Sequence, residues 1–473
     1  MDRKTVKRVK TGSFERRLSM ATAGIFAGAK YATLSAGTLF TSKDKREERR
    51  KAILSQQAQE LVDELGKLKG SVVKIGQMMA LFGEHFLPEE VTAALHTLES
   101  QTTALAWPTM FRHLQMELGD MKLADLDISR TPLGAASLAQ VHKAVRKSDG
   151  KPLVLKVQYP GVADAIDSDL RALVRLLKLS RLVPITEQFN DWLDEIRDML
   201  KREVDYDLEA HTTEYFRELL KDDPRFVVPT VVPEYSTHNI LCMTYEEGTP
   251  ITEVDVDALS QERRNNIGRA IMELCCMEVF QWNKMQTDPN FGNYLLRLDD
   301  SPAAKDQIVL LDFGAIRDFE HSTLGPGREM IRASWHQDKE RLARAMRALG
   351  FMNKNVPTRV LNDFAEMCFE AVEPLQDPEK FPVPKQVLNS NLEYMWGESD
   401  LPSRVMGRAG RNALSIHFDV PPKEFIFLVR KLLGAYTFLH VMRSEIRGNT
   451  LLEPFLPLNE AEDKALVASL LKE

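Results

Sequence analysis

The residues Asp288-Pro289-Asn290-Phe291-Gly292-Asn293, followed further along the chain by Asp312-Phe313-Gly314, decide how this sequence is interpreted. An aspartate, an asparagine five positions later and a second aspartate before Phe-Gly are typical of a phosphoryl-transfer site. Mg²⁺ prefers a few carboxylate and amide oxygens together with phosphate and water, and Asn293 with Asp312 would supply such a pair. The alternative, a surface turn and an unrelated Asp-Phe-Gly turn, leaves the order and spacing of the two motifs unexplained.

The segment between the motifs supports this interpretation. The apolar runs Tyr294-Leu295-Leu296 and Ile308-Val309-Leu310-Leu311 flank a polar stretch and predict the two strands of a hairpin. Such a hairpin places Asn293 and Asp312 at the same end, as two ligands of one metal require. Together these features predict a protein-kinase-like fold in which Asp288 orients the attacking oxygen.

A kinase-like fold also requires a lysine on an upstream strand. The run Leu153-Val154-Leu155-Lys156-Val157-Gln158 is apolar and rich in β-branched residues, and a single lysine interrupts it. A lysine in a buried strand is costly unless a carboxylate or a phosphate meets it. We therefore expect Lys156 to hold nucleotide phosphates and to pair with a helix glutamate. The alternative is an edge-strand lysine that faces water.

Small residues precede that strand, at the place where a protein kinase carries its Gly-x-Gly-x-x-Gly loop. They are Gly134, Ala135, Ala136 and Ser137. Small side chains let the backbone approach a phosphate, but alanine restricts φ more than glycine does, which predicts a stiffer loop. Without its position, such a run would simply indicate a tight packing site.

Several elements, taken in order, resemble the UbiB/ADCK family of atypical, protein-kinase-like proteins. They are Lys74-Ile75-Gly76-Gln77, the Ala-rich loop of Gly134 to Ser137, Lys156, the acidic run from Glu203 to Ala210, and the two motifs that contain Asp288 and Asp312. The Lys-x-Gly-Gln element is highly specific to that family, and the resemblance spans roughly residues 50 to 450. The sequence Gln286-Thr287-Asp288-Pro289-Asn290 resembles that of the ADCK branch more than that of the UbiB branch.

The resemblance implies a gate over the nucleotide site. Lys74 and Gln77 stand three residues apart in an apolar run, so on a helix they share one face. In the family this helix folds over the nucleotide site, and its lysine meets an acidic pair, here Glu203 and Asp205. A protein substrate would then find its groove blocked.

The resemblance also completes the nucleotide site. Glu209 matches the glutamate that pairs with Lys156, which gives the buried lysine a counter-charge. The alternative for the run that starts at Glu203 is a solvated acidic helix face. A hinge containing Glu246 and Gly248 follows an apolar strand and would hold adenine through backbone groups.

Two positions depart from the patterns that they otherwise match. Gly134 stands where many family members have the first alanine of an Ala-Ala-Ala-Ser loop, and we expect it to loosen the loop. Thr287 precedes the catalytic aspartate where typical kinases have arginine, so regulation by activation-loop phosphorylation is not expected.

Composition limits the remaining function classes. The chain has 473 residues, 44% of them hydrophobic, which is enough to bury a large core in two or more units. A net charge of −7 argues against a nucleic-acid partner. The four cysteines lack metal-ligand spacing and imply no disulfide framework, which favours a reducing compartment.

The predicted organisation has four parts. Residues 1–45 are a segment of basic and small residues, and residues 46–126 are a helical extension. Residues 127–247 are a kinase-like N-lobe, and residues 248–473 are a mainly helical C-lobe. Within the C-lobe, the apolar spacing of residues 328–349 predicts a single helix. In the first part, Lys30 interrupts the apolar stretch, which argues against a signal peptide or membrane span. A membrane-surface helix, a mitochondrial transit segment and a plain basic tail remain as alternatives.

These features predict an α+β, two-lobed protein-kinase-like fold. The expected function is that of a Mg²⁺-dependent, ATP-binding kinase or ATPase which, by the family resemblance, supports ubiquinone or isoprenoid-lipid biosynthesis. Its expected partners are a lipid or ubiquinone-precursor ligand, a membrane surface, and a biosynthetic complex or a second copy. The expected location is the cytoplasm beside a membrane, or the mitochondrion. The alternatives are a nucleotide-sensing, lipid-binding pseudoenzyme and a small-molecule phosphotransferase.

Overall fold

The computed structural model describes a large part of the chain as two compact units. The described residues are 55, 56, 59, 62, 71–82, 87, 89–97, 104–180, 187–288, 290–301, 305–350, 352, 356–401, 403–405, 423–457, 464, 467 and 468. The first unit comprises Met1–Phe216 and Pro229–Glu246, and the second comprises Arg217–Val228 and Glu247–Glu473. The predicted N-terminal segment, residues 1–45, lies outside the described residues.

An antiparallel sheet forms the centre of the first unit. Its strands are β1 (Leu126–Ile128), β2 (Gly134–Ala135), β3 (Ala139–Arg146), β4 (Pro152–Gln158) and β6 (Ile240–Thr244). The order is β1-β3-β4-β6, and β2 pairs with the other end of β3. Side chains alternate along β4, so Leu153 and Leu155 are buried on one face while Lys156 lies half-buried on the other.

The helices of the first unit pack on one another and on the sheet. They are α1 (Ser71–Phe82), α2 (Glu89–His96), α3 (Trp107–Ala124), α4 (Val162–Ser180), α5 (Glu187–Glu203) and α6 (Tyr206–Leu220). One hydrophobic cluster joins Ile75 of α1 and Leu114 of α3 to Leu155 of the sheet. The helical extension therefore shares a core with the sheet. A kink at Gly119, where φ is 73°, divides α3.

The second unit is mainly helical. Its helices are α7 (Gln261–Met277), α8 (His321–Trp335), α9 (Lys339–Ala348), α10 (Thr358–Ala371), α11 (Lys423–Val441) and α12 (Gly448–Leu452). Its short strands are β5 (Phe226–Val227), β7 (Thr249–Pro250), β8 (Lys284–Gln286), β9 (Tyr294–Arg297), β10 (Gln307–Leu310), β11 (Ile316–Asp318), β12 (Tyr394–Met395) and β13 (Glu445–Ile446). The strands form a sheet of order β5-β10-β9-β7 and two pairs, β8 with β11 and β12 with β13. None of the helices that the structure describes is both long and apolar enough to cross a membrane.

Two local predictions have opposite outcomes. The hairpin is confirmed, because β9 and β10 pair antiparallel with Leu296 opposite Ile308. The single helix predicted for residues 328–349 is wrong. Gln337 adopts a left-handed φ of 53°, and the side chain of Asp338 caps a new helix by accepting from the amide of Arg341 at 3.0 Å. The apolar periodicity continues across this break and therefore conceals it.

A buried polar network supports strand β3. His142 Nδ1 lies 2.8 Å from the Ser129 carbonyl oxygen, and its Nε2 lies 3.2 Å from the Gln140 amide nitrogen. Gln140 Oε1 in turn accepts from the backbone amide of Leu105. His142 therefore donates through Nδ1 and accepts at Nε2, which only the neutral ring can do. Burial lowers the pKa of His142.

Folding stability should fall as the pH is lowered through about 6.5, the usual pKa of histidine. The unfolded chain takes up a proton there while folded His142 remains neutral, so the free energy of unfolding falls by up to about 1.4 kcal/mol per pH unit. Urea titrations between pH 7.5 and 5.5 would measure the slope. His142→Gln should flatten it in part, since the pKa of His113 is also lowered by burial. The exposed control His211→Gln should keep it.

Candidate active site

A buried ion pair lies at the centre of the first unit's candidate site. Lys156 Nζ on β4 donates to both carboxylate oxygens of Glu209 on α6, at 2.6 and 2.9 Å. Glu209 is only 1% exposed. Burying a carboxylate so deeply is costly unless a cation meets it, and Lys156 meets it here. The structure thus brings together the lysine and glutamate that the sequence pairs.

Two acidic residues before Glu209 lie where α5 ends and α6 begins. Glu203 forms an ion pair with Lys74 of α1 at 2.6 Å. Asp205 caps α6, because its Oδ1 accepts from the amide of Leu208 at 2.9 Å. Asp205 therefore stabilises the start of α6, in addition to its expected place in the acidic pair that meets Lys74. Gln77 lies half-buried one turn after Lys74 on α1.

The Ala-rich loop is a tight turn between β2 and β3. Gly134 and Ala135 pair with residues of β3, and the amide of Ala136 donates to the carbonyl of Ala139 at 2.8 Å. Ser137 is buried, whereas Ala136 is exposed. Within the loop, Ala136 is therefore the residue most open to solvent.

Gly134→Ala should stabilise the protein by about 0.4–1 kcal/mol, because alanine reduces the freedom of the unfolded chain. A Cβ at Gly134 meets no atom within 4 Å, and its φ lies outside the left-handed region. Gly150→Ala is the matched control, since that glycine is equally uncrowded but has a φ of +73° and should lose stability. Thermal unfolding of both variants measures the difference. Equal shifts in Tm would contradict the prediction.

The predicted hinge residues lie at the ends of two strands. Glu246, in the first unit, accepts from the Thr244 hydroxyl at 2.8 Å, just after β6. Gly248, in the second unit, lies against β9, where an added Cβ would stand 2.8 Å from the Cβ of Leu295. The close approach explains glycine at this position.

The second unit holds the residues that the sequence predicts for the catalytic loop. Asn293 Nδ2 donates to Asp288 Oδ2 at 3.1 Å, so the predicted metal ligand and the predicted orienting carboxylate lie in contact. The Leu311 amide donates to the Asn293 carbonyl at 3.0 Å, which places the following Asp312 beside Asn293 at the end of the hairpin. Asp312 Oδ1 accepts from the Gly314 amide at 2.9 Å.

The donor set of Asn293 and Asp312 fits Mg²⁺. One amide oxygen and one carboxylate are the hard oxygen ligands that this ion prefers, and phosphate and water complete its shell. Over the part of the chain that the structure describes, no group of three or more His, Cys, Asp or Glu side chains could hold a metal ion. A metal held by Asn293 and Asp312 would take its remaining ligands from phosphate and water.

Gln286 links the two motifs of the second unit. Its Oε1 accepts from the amide of Asp288 at 3.1 Å, and its Nε2 donates to the carbonyl of Asp312 at 2.6 Å. Both contacts fix backbone next to a candidate catalytic side chain. In the sequence, Gln286 only distinguishes the two branches of the family that the chain resembles. Its position two residues before Asp288 was the available signal.

A buried ion pair also contacts the backbone of Gln286, two residues before Asp288. Lys431 Nζ of α11 donates to Glu278 Oε1 at 2.7 Å, and Glu278 Oε2 accepts from the amide of Gln286 at 2.8 Å. Burial raises the pKa of Glu278. Lys431 and Asp288 line one small cavity together with Tyr294. Sequence analysis missed this pair, because the partners lie far apart in the chain.

The chain is similar in sequence to known proteins. Residues 97–346 match the ABC1 atypical kinase-like domain. The chain is 32% identical over 377 residues to the atypical kinase COQ8, mitochondrial, of Saccharomyces cerevisiae, which covers 80% of this chain and 71% of that protein. It is 32% identical over 380 residues to the atypical kinase COQ8B, mitochondrial, of Rattus norvegicus, which covers 80% of this chain and 68% of that protein.

A solved structure shares the fold. The complex of Rv3197 with erythromycin from Mycobacterium tuberculosis superposes with a TM-score of 0.57 at 23% identity, covering 88% of this chain and 99% of that one. The predicted kinase-like α+β fold and the UbiB/ADCK resemblance are both confirmed. Since the family model matches more than half of the chain and COQ8 relatives match across most of their length, this chain belongs to the ABC1 family of atypical kinases.

Proposed function

We propose that this protein is a Mg²⁺-dependent, ATP-binding kinase or ATPase of the COQ8 type. The observation that carries the proposal is the buried ion pair between Lys156 and Glu209. A lysine fixed by a helix glutamate is the arrangement that holds nucleotide phosphates in kinases. Its formation here supports a working nucleotide site.

Each candidate residue has a role in this proposal. In the second unit, Asp288 orients the attacking oxygen, while Asn293 and Asp312 hold Mg²⁺ against the phosphates. In the first unit, Lys156 and Glu209 form the phosphate clamp. The small loop from Gly134 through Ala135 and Ala136 to Ser137 covers the phosphates, and the backbone around Glu246 and Gly248 reads the base.

The gate is the second part of the proposal. Lys74 and Gln77 lie on one helix. Lys74 is held by Glu203 at the end of α5, two residues before Asp205, which caps α6. This ion pair is partly exposed, so its net contribution to stability is about 0–1 kcal/mol. The buried side chains of the helix, such as Ile75, contribute more to holding the gate closed. Opening would admit an acceptor that the closed helix excludes.

The biological setting follows from the relatives. Proteins named COQ8 and COQ8B are mitochondrial atypical kinases, which supports a mitochondrial location for this chain and, by the family resemblance, a role in ubiquinone biosynthesis. A lipid or ubiquinone-precursor ligand, contact with a membrane surface, and a biosynthetic complex or a homodimer belong to the same proposal. In a bacterium the corresponding location is the cytoplasmic side of the membrane.

Nucleotide titration tests the proposal. The wild-type protein should bind ATP more tightly in the presence of Mg²⁺, and Asp312→Asn should lose that Mg²⁺ dependence. Asp318→Asn is the matched control, because Asp318 is an exposed aspartate six positions later that pairs with Lys284. Absence of nucleotide binding in the wild-type protein would overturn the proposal.

The acceptor is identified by the fate of γ-labelled ATP. Transfer of the label to protein would indicate a protein kinase. Transfer to a small molecule or lipid would indicate a small-molecule or lipid kinase, and release of free phosphate alone would indicate an ATPase. Anionic liposomes with and without ubiquinone precursors are the test of lipid engagement. If neither kind of liposome changes nucleotide binding or turnover, the proposed lipid engagement is contradicted.

A further inference from the structure

The carboxyl end of strand β4 connects the clamp lysine to the Ala-rich loop. Tyr159, three residues after Lys156, donates from its hydroxyl to the carbonyl of Ala136 at 3.1 Å. Its backbone amide donates to the carbonyl of Leu138 at 2.9 Å. The tyrosine is only 4% exposed. Two contacts therefore tie the loop to the residue that follows the lysine strand.

The neighbouring residue contacts the gating turn. Gln158 Nε2 donates to the carbonyl of Val204 at 2.6 Å, and Gln158 is 2% exposed. Val204 lies between Glu203, which binds Lys74, and Asp205, which caps helix α6. A single buried side chain thus holds the backbone that carries both acidic residues of the gate.

We propose that Gln158 and Tyr159 are positioning residues that hold the gating turn and the phosphate-covering loop at fixed distances from Lys156. The three parts come from distant stretches of the chain, and the end of β4 is a shared support for them. This inference rests on the proposed nucleotide site, because positioning matters only where a nucleotide binds. It assigns no chemistry to either side chain.

The contact geometry favours positioning over simple packing. The Ala136 amide already closes the turn locally on Ala139, whereas the Tyr159 hydroxyl reaches the loop from another strand. A phenylalanine would fill the same space without that hydrogen bond. The hydroxyl therefore contributes restraint of the loop rather than volume. A restrained loop binds a ligand with a smaller entropic cost.

Tyr159→Phe tests the loop contact. Loss of one hydrogen bond should make amide exchange across residues 132–140 about 2- to 12-fold faster, and should weaken Mg²⁺-ATP binding by a similar factor. The KM for ATP should rise while kcat changes less, since the hydroxyl does not touch reacting atoms. Tyr235→Phe is the matched control, because that buried hydroxyl bonds to Asp125 and not to the loop.

Gln158→Met tests the contact to the gate. Exchange should accelerate in the peptide that contains Glu203 to Leu208 and stay unchanged in the Ala-rich loop. Tyr159→Phe should give the reverse pattern. Gln115→Met, at an exposed glutamine of the same unit, is the control for the loss of an amide.

The outcomes separate this inference from the proposed function. A wild-type protein that binds no nucleotide overturns the proposed function, while the exchange patterns still decide whether the two side chains restrain their segments. A wild-type protein that binds nucleotide, with unchanged exchange and unchanged or tighter binding in Tyr159→Phe, overturns the inference. A loss of Tm equal in Tyr159→Phe and Tyr235→Phe, with no change specific to the loop, would also overturn it.

Discussion

Asp288→Asn is expected to slow phosphoryl transfer or ATP hydrolysis by about 10²- to 10⁴-fold while leaving Mg²⁺-ATP affinity nearly unchanged. Asparagine has the same shape as aspartate but cannot orient and accept the proton of an attacking hydroxyl or water. Its carbonyl oxygen can still accept from Asn293 Nδ2, as the carboxylate does at 3.1 Å, so the proposed metal ligand stays in place. Single-turnover assays with labelled ATP, together with equilibrium titration, measure the two effects separately.

Asp300→Asn is the control for this experiment, because Asp300 is an exposed aspartate in the loop between β9 and β10. It should retain wild-type rate and affinity. If Asp288→Asn reduces the rate by less than about tenfold, Asp288 is not the orienting carboxylate. Equal loss of binding and rate would instead indicate that the loop had been displaced.

Lys431→Met is expected to cause the largest loss of stability, about 3–5 kcal/mol, because it leaves the carboxylate of Glu278 buried without its cation. The two side chains lie 2.7 Å apart and are among the most buried charged groups of the second unit. Glu278 also holds the Gln286 amide, so the loss should extend to the loop of Asp288. Urea unfolding at pH 7 measures the difference.

The same variant should have a distinctive pH profile. Burial already raises the pKa of Glu278 in the presence of Lys431, and removal of the lysine raises it further. A carboxyl whose folded pKa is raised contributes stability that is present at low pH and lost as the pH rises through that pKa. The deficit of Lys431→Met should therefore shrink as the pH is lowered towards 5.

The double variant Glu278→Gln with Lys431→Met is the decisive control. Replacing both partners removes the buried charge altogether, and such replacements are often neutral or stabilising. We expect the double variant to be more stable than Lys431→Met alone. If it is not, the stability of this region depends on packing by the lysine stem and not on charge.

Local pattern was enough to predict the parts of the site that lie close to a motif. The hairpin after Asn293 follows from two apolar runs, and the need for a counter-charge, which the family resemblance assigns to Glu209, follows from a lysine inside a buried strand. In both cases the physical requirement is visible in a short window of sequence. The resemblance to a family then supplied the order of the parts.

Long-range support could not be predicted in this way. Glu278 and Lys431 are separated by 153 positions, and each alone resembles an ordinary charged residue of an amphipathic helix. Gln158 donates to the backbone carbonyl of Val204, and any residue at position 204 would offer that carbonyl. The identity of residue 204 therefore does not indicate the contact. The break at Gln337 is equally hidden, because apolar spacing reports which face is buried and not whether the backbone continues.

The division of the chain into two units also determines where it can be truncated. Strand β5, Phe226–Val227, pairs in parallel with β10 of the second unit, and Arg225 forms an ion pair with Glu273 of α7. A fragment that begins at Glu247 would lack this strand and expose the hydrogen-bonding edge of β10. Open strand edges promote aggregation. The helical half is therefore not a separable module, and expression, truncation and domain exchange must keep residues 217–228 with it.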